Sequence, residues 1–244
     1  MLNLLILTFL IFYIIKFTLN NDKNSFYFKL NPNMKINKIY SDIYVIDDFY
    51  MYPNLIRTHF IRKKFSIHDS IYKTKYFNPK LNNCKFLINF FEKLCKVNII
   101  MKNWKFHCDN NSNGYLQYIT QDGQPCIHTD DNTNFGAVVY LGDNYHPKNG
   151  TSFYQHNASG IKYIFSDDEF DKLSESQQKI FSNYHKNDLW QQGENPQFYK
   201  WNKYYTCDNK FNRIVIFNSK RFHCAEPGYG NHKYDSRFFQ TFFF

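Results

Sequence analysis

The second half of the chain is a series of short apolar runs separated by turn residues, and this pattern limits the possible folds most. The run Ala137–Leu141 is typical of a buried strand and is followed by the turn residues Gly142-Asp143-Asn144. Many short strands with turns between them favour a sandwich or a barrel over a parallel α/β sheet, and a jelly roll fits best. The other strand-like runs are 43–46, 114–120, 150–154, 213–217, 222–223 and 238–244.

Helices are predicted before and within this strand-rich part. Pro53 suits the first position of a helix in which Ile56 and Phe60 share one face. A second helix is expected over Leu87–Val97. Residues 161–205 are predicted to form a helical insertion between strands. The sequence therefore predicts a mainly β domain with flanking helices.

The chain begins with an apolar segment, residues 1–19, whose one charged side chain is Lys16. The continuous apolar part is short for a bilayer, but a thin membrane is within reach if the Lys16 amine extends to the surface. The segment lacks a basic start and a small-residue cleavage site, which favours an uncleaved N-terminal hydrophobic helix, a signal-anchor. A cleaved signal peptide and a buried helix are the alternatives.

The length of 244 residues suits one large core. We expect a membrane anchor or signal peptide at 1–19, a polar linker at 20–40 and a single domain at 41–244. This organisation predicts a protein held at a membrane or in the secretory lumen rather than in the cytoplasm.

The net charge of +9 permits anionic partners, but it does not single out nucleic acid. The charge comes from Lys residues spread along the chain, with no short run dominated by Lys and Arg, so a solvated surface explains it better. The six cysteines form no CxxC pair, which argues against a thiolate zinc site and leaves any disulfide pairing unreadable.

Three dispersed residues carry the chemistry that the sequence predicts. His128 and Asp130 are two positions apart, so on an extended strand their side chains project to the same side. His223 would reach them from a distant strand of a rolled sheet. Two imidazoles and a carboxylate form the facial triad that holds non-haem Fe(II) with open positions. A His-x-Asp pair alone is a weak signal, and a polar loop is the alternative.

Arg237 lies in the C-terminal strand-like run, fourteen residues after His223. A guanidinium at this position could hold the carboxylate of an organic co-substrate through a two-pronged hydrogen bond. The alternative is a surface ion pair with Asp235 or Glu226.

Several stretches together resemble the 2-oxoglutarate- and Fe(II)-dependent dioxygenases, most closely their prolyl-hydroxylase-like branch. The resemblance covers most of residues 43–244. The stretches that carry it are Ile43–Phe49, Cys126–Asp131, Tyr140-Leu141, Gly150–Tyr154, Asn212–Phe217 and His223–Pro227.

This resemblance implies a double-stranded β-helix and hydroxylation of a protein or peptide side chain, with prolyl or lysyl as the first choice. The cofactor would be Fe(II), with 2-oxoglutarate and O2 as co-substrates. His128, Asp130 and His223 would be the iron ligands. Arg237 would anchor 2-oxoglutarate, and Tyr118 would be a second contact to its carboxylate.

The chain departs from the family pattern at the turn Asn149-Gly150-Thr151, where the family has Gly-Gly-Thr, and at Gly142, where it has Asn. Many prolyl hydroxylases have Lys where Arg237 stands here, and residues 161–205 match nothing in the pattern. Two other functions remain open: a non-catalytic, membrane-tethered jelly-roll binding module, and a nucleic-acid demethylase of the same chemistry, which the apolar start disfavours.

Overall fold

The computed structural model describes residues 25–67, 73–81, 84–99, 113–123, 126–130, 133–143, 146–165, 167–185 and 198–244. Two antiparallel sheets and a few helices make up this part of the chain. The strands are β1 (Lys35–Tyr40), β2 (Ile43–Asp47), β3 (Ser66–Ile67), β4 (Lys75–Phe77), β5 (Leu116–Ile119), β6 (Phe135–Tyr140), β7 (His146–His156), β8 (Trp201–Asn209), β9 (Ile214–Asn218), β10 (His223–Ala225) and β11 (Arg237–Phe243). The α-helices are α1 (Pro53–Phe60), α2 (Lys85–Cys95), α3 (Asp167–Phe170) and α4 (Glu175–His185), and 3-10 turns cover Ser25–Phe28 and Phe198–Lys200.

The strands are divided unequally between the two sheets. The larger sheet has eight strands in the order β1-β2-β9-β6-β11-β5-β4-β3, and the smaller has the order β10-β7-β8. An isolated bridge between His128 and His223 adds the segment around His128 beside β10. From β5 onward the chain therefore crosses repeatedly from one sheet to the other. The mainly β prediction is confirmed, and the arrangement is consistent with the predicted jelly roll.

The two sheets face each other across an apolar interior. The larger sheet contributes Val45, Tyr140 and Phe217, and the smaller contributes Phe153 and Cys207. These side chains are at most 4 % exposed. The interior is filled with aromatic rings at the end where Phe217 and Phe153 meet, with ring centroids 5.2 Å apart.

The flanking helices cover the outer face of the larger sheet. Ile56 and Phe60 of α1 are buried, as their spacing predicts, and Pro53 occupies the start of that helix. Leu87 and Phe91 of α2 are buried in the same cluster, which also includes outward-facing strand residues. The helices thus hold the larger sheet in place and leave its inner face to the site.

Part of the predicted linker is folded. The described residues of 20–40 form a 3-10 turn, in which Phe28 is fully buried, and the strand β1, which pairs with β2. The linker prediction is wrong there. The burial of the Phe28 ring and the backbone hydrogen bonds between β1 and β2 order this polar segment. Residues 1–19 lie outside the described part, so the predicted anchor is not seen. None of the helices that the structure describes is long and apolar enough to cross a membrane.

The predicted insertion at 161–205 contains α3 and α4 but ends earlier than expected. Trp201 already begins β8, which pairs with β7, so the last five residues belong to the smaller sheet. α4 begins after Ser174, whose side chain and backbone exchange hydrogen bonds with Gln177 in a capping box. The insertion therefore contains two short helices, the second of which begins at this cap.

Candidate metal centre

The backbone brings the two histidines side by side. His128 and His223 exchange two backbone hydrogen bonds of 2.9 Å, as directly paired residues of an antiparallel ladder do. The backbone of Asp130 is fixed by a hydrogen bond of 2.9 Å from its N–H to the Ser219 carbonyl. His128 and Asp130 lie two positions apart on an extended segment, so both side chains point toward His223.

The three side chains converge on one point. One ligand atom from each lies within 4.8 Å of the others. His223 Nε2 is 3.5 Å from one Asp130 oxygen, and His128 Nε2 is 3.7 Å from the other. The side chains of His223 and Asp130 are 6 % and 9 % exposed, whereas that of His128 is 33 % exposed. The cluster is therefore buried on one side and open on the side of His128.

Each imidazole is oriented by a backbone carbonyl two residues before it. His128 Nδ1 lies 2.9 Å from the Cys126 carbonyl, and His223 Nδ1 lies 2.8 Å from the Arg221 carbonyl. A carbonyl oxygen can only accept, so each Nδ1 carries the proton and each Nε2 keeps its lone pair for a metal. The tautomers are thus assigned from their hydrogen-bond partners.

Burial also keeps His223 in the form that binds metals. Desolvation, and secondly the neighbouring His128, hold the pKa of His223 well below its usual range, against the raising effect of the bond to the Arg221 carbonyl. The imidazole is therefore neutral at physiological pH. Phe217 packs against the same ring, with centroids 4.5 Å apart, and closes the inner side of the site.

A glycine makes room for the carboxylate. A Cβ added to Gly136 of β6 would meet an Asp130 oxygen at 2.8 Å and the Phe217 ring at 3.1 Å. Any side chain at this position would push the carboxylate, the ring or both. Gly136 is thus a residue of the site that the sequence analysis missed, because a lone glycine in a strand has many structural explanations.

Arg237 is buried on the inner face of the larger sheet. In β11 it lies two residues from Phe239, which is paired with Tyr140, so all three side chains share that face. The guanidinium lies 5.7 Å from the Tyr140 ring centroid and 5.3 Å from that of Phe239. Arg237 is 1 % exposed, so the predicted alternative of a surface ion pair with Asp235 or Glu226 is wrong.

Only some of the N–H donors of the Arg237 guanidinium form hydrogen bonds with the described residues. Its Nη1 donates to the Glu226 carbonyl at 2.9 Å, whereas its buried Nε has no hydrogen-bond partner among the described residues. A buried charged donor without a partner is costly, and a carboxylate ligand would satisfy it. Glu226 contributes its backbone to Arg237, while its side chain pairs with Lys203 at 2.6 Å.

Tyr140 connects Arg237 to the strand that carries His223. Its hydroxyl donates to Thr151 Oγ1 at 2.8 Å, and Thr151 is paired with Ala225, two residues after His223. Burial, the largest effect, raises the pKa of Tyr140 well above its usual range, so the hydroxyl keeps its proton. In the sequence, Tyr140 belongs to the family-like stretch Tyr140-Leu141, which predicts no role for its side chain.

The structure does not bring Tyr118 to Arg237. In β5, Tyr118 is paired with Phe238, and both side chains pack against Phe65 on the helix-covered face of the sheet. Arg237, one residue from Phe238, points to the opposite face. The expected contact of Tyr118 with a co-substrate held by Arg237 is therefore wrong. Gln117 and Ile119 are the β5 residues that share the inner face, where the Gln117 amide donates to Thr241.

The donor set fits a divalent metal of the first transition row. Two neutral imidazole nitrogens and a carboxylate on one side, with an open side at His128, suit non-haem Fe(II), and the cluster includes no thiolate from the described residues. The class defined so far is a mainly β, jelly-roll-like protein with a candidate two-His-one-carboxylate metal site.

The chain belongs to a family of unknown function, DUF6445, whose model matches residues 31–227. No curated protein matches the sequence.

Three solved structures show limited similarity to this one. HygX from Streptomyces hygroscopicus, with nickel, 2-oxoglutarate and hygromycin B bound, is 12% identical, with 82% of this chain and 81% of that chain covered and a TM-score of 0.41. HygX with nickel and 2-oxoglutarate bound is 10% identical over the same shares, with a TM-score of 0.40. A prolyl-4-hydroxylase from Pseudomonas putida is 11% identical, with 78% and 85% covered and a TM-score of 0.35.

Proposed function

We propose that this protein is an Fe(II)- and 2-oxoglutarate-dependent dioxygenase that hydroxylates a side chain of a protein or peptide. One observation carries the proposal: the His128, Asp130 and His223 side chains converge at one end of an interior that also holds Arg237, whose buried Nε has no partner among the described residues. A metal site alone would suit many functions. The combination with a carboxylate receptor favours an organic acid as co-substrate.

The metal would be held by Nε2 of His128 and His223 and by the Asp130 carboxylate. When bound, Fe(II) would supply the oxidative chemistry, in which O2 is consumed, 2-oxoglutarate is decarboxylated to succinate and a substrate C–H bond is hydroxylated. The protein's part is to hold both imidazoles in the Nδ1–H form and to keep one side of the site open. The exposed edge of His128 is the side from which a substrate would approach.

Arg237 would bind the distal carboxylate of 2-oxoglutarate through its Nε. The Glu226 carbonyl holds the guanidinium in place, and the Tyr140 and Phe239 rings exclude water around it. An ion pair in such a dry setting is stronger than one at the surface. Tyr140 would contribute its ring and not its hydroxyl, because the hydroxyl proton is already donated to Thr151 Oγ1.

The hydroxylated residue, prolyl or lysyl, is proposed from the sequence resemblance. Association with a membrane through residues 1–19, or a lumenal location, is likewise a proposal, which alkaline extraction of membranes from expressing cells would test. A protein that remains in the pellet after extraction would support the anchor, and complete release would contradict it.

The decisive experiment is an anaerobic titration of the full chain with Fe(II) and then with 2-oxoglutarate, followed by visible absorption. We expect a weak charge-transfer band that requires both additions. His128→Ala should abolish the band, whereas Arg237→Ala should leave Fe(II) binding intact and weaken 2-oxoglutarate binding by about tenfold or more, since a buried charge-assisted contact is lost. His232→Ala is the control, because that side chain is 64 % exposed on a surface loop.

The outcome separates the proposed enzyme from the non-catalytic binding module. Fe(II) binding that 2-oxoglutarate does not alter would favour the module. A protein that binds no Fe(II) at all would refute the metal site itself.

A further inference from the structure

One turn of the chain supports all three residues of the metal site. This turn, residues 218–221, joins β9 to β10. The Ser219 carbonyl accepts the Asp130 N–H, and the Arg221 carbonyl accepts Nδ1–H of His223. His223 in turn is bound to the backbone of His128. Any displacement of this turn would move the three side chains relative to one another.

The turn is itself held from outside by the side chain of Arg221. The guanidinium Nε donates to both oxygens of Asp42, at 3.0 and 2.8 Å, and Nη2 donates to one of them at 2.6 Å. Its Nη1 donates to the Tyr204 hydroxyl at 2.9 Å. Arg221 is 9 % exposed, so this is a semi-buried, several-pronged ion pair and not a loose surface contact. The three residues Asp42, Arg221 and Tyr204 are called the clamp below.

The clamp joins three separate parts of the fold at the metal end of the roll. Asp42 lies in the hairpin between β1 and β2, and its backbone carbonyl also accepts the Asn218 N–H at 3.1 Å. Tyr204 belongs to β8 in the other sheet, where its ring lies at right angles to that of Tyr40. The hairpin and the smaller sheet therefore both form hydrogen bonds with the turn that orients His223.

A second ion pair of the same kind lies at the far end of the same two strands. Arg213 precedes β9 and donates to the two oxygens of Asp47, at 2.7 and 3.1 Å. The register of β2 against β9 places Asp42 beside the turn and Asp47 at the opposite end, away from the metal site. The protein thus contains a natural control with the same chemistry and a different location.

We propose that Asp42, Arg221 and Tyr204 are positioning residues that set the geometry of the metal site through the turn 218–221. This inference rests on the proposed function only in requiring that the triad binds a metal. Partners outside the ligand shell commonly change metal affinity by about 10- to 100-fold when they are removed. The clamp acts one step further out, through the carbonyl that holds His223.

The test uses Co(II), whose visible absorption bands report both binding and coordination geometry, titrated into the full chain. Asp42→Asn and Arg221→Lys are compared with Asp47→Asn and Arg213→Lys, and thermal unfolding of each apo variant is recorded alongside. We expect the two clamp variants to bind Co(II) about tenfold more weakly and with shifted bands. The two far-end variants should stay within about twofold of the original protein, with unshifted bands.

Tyr204→Phe provides a variant that keeps the ring and its packing. It removes one hydrogen bond from Arg221 without removing a charge, so we expect a smaller loss of affinity, of roughly two- to fivefold, with a shifted band. This variant keeps the test valid if Asp42→Asn fails to fold.

Equal Co(II) affinities and spectra for the clamp and far-end variants, at comparable thermal stability, would overturn the inference while leaving the metal site in place. An original protein that binds no Co(II) would overturn the metal site and the clamp together. The two failures are therefore distinguishable by the titration of the unsubstituted chain.

Discussion

The geometry of the candidate site depends on residues that bind no metal themselves: a glycine without a side chain and backbone carbonyls that accept hydrogen bonds. Gly136 lacks a side chain and thereby leaves space for Asp130, while two backbone carbonyls accept hydrogen bonds from the Nδ1–H groups of the imidazoles. Neither feature supplies a ligand atom. Each narrows the positions that the ligand atoms can occupy, which is how a small set of residues becomes a preorganised site.

Gly136→Ala should weaken metal binding without unfolding the protein. The new methyl group would lie 2.8 Å from an Asp130 oxygen, and moving this carboxylate is the cheapest way to relieve the contact. We expect a loss of about tenfold or more in Co(II) affinity, measured by titration, because the carboxylate is displaced from the shared point.

Gly142→Ala is the matched control for this substitution. Its methyl group would meet the Tyr229 hydroxyl, also at 2.8 Å, at a place that touches no candidate ligand. A metal affinity that falls equally in both variants would mean that general strain, and not the position of Asp130, is responsible.

At the residue level, the convergence of the triad was predictable, and the proposed carboxylate receptor was only half predictable. His128 and Asp130 follow the alternation of a strand, and the structure brings them to His223. Tyr118 was misplaced because its face depends on the register of β5 against β11, which the sequence does not contain. Tyr140 is also a tyrosine, but it lies on the face of the sheet that carries Arg237. Only the pairing of the strands distinguishes these two tyrosines.

At the level of elements, strands with apolar faces were predicted and polar edge strands were missed. β6 and β9 are buried and aliphatic, and the sequence analysis found both. β1, with the sequence KINKIY, is exposed at every position, and β8 begins inside a stretch that was taken for helical. A strand that buries few side chains shows no alternation of apolar and polar residues in the sequence. Such a strand forms because its backbone pairs with that of a neighbouring strand, which the sequence pattern does not reveal.

The helix α2 should contribute strongly to stability although it touches no candidate ligand. Phe91 is fully buried, stacks on Phe244 with centroids 4.5 Å apart and packs against Phe242 at the end of β11. Phe91→Ala should lower the free energy of unfolding by about 3–5 kcal/mol, measured by urea denaturation. Phe86→Ala, in the same helix but half-buried, should cost clearly less. Equal losses would show that α2 is loosely docked on the sheet.

At the scale of the whole molecule, the closed roll shields its thiols as well as its metal site. Cys95, Cys207 and Cys224 are free cysteines in the described part of the chain, and Cys207 lies in the interior between the two sheets. Burial raises the pKa of Cys207 to about 12 and that of Cys224 still further from its ordinary value. Because the thiolate is the reactive form, both thiols should be inert while the roll is closed.

Alkylation with iodoacetamide at pH 8 therefore measures whether the two sheets stay together in solution. We expect Cys207 to be labelled at least about a hundredfold more slowly in the native protein than in urea, because reaction requires both opening of the roll and loss of a proton. Peptide mass spectrometry would follow Cys207 and Cys224 separately, with Cys95, which is half-buried, as the internal comparison. Fast native labelling of Cys207 would mean that the sheets separate readily, and a dry receptor around Arg237 would then be untenable. Slow labelling of Cys207 together with Co(II) binding would be the behaviour of one closed domain whose metal site and carboxylate receptor share the same interior.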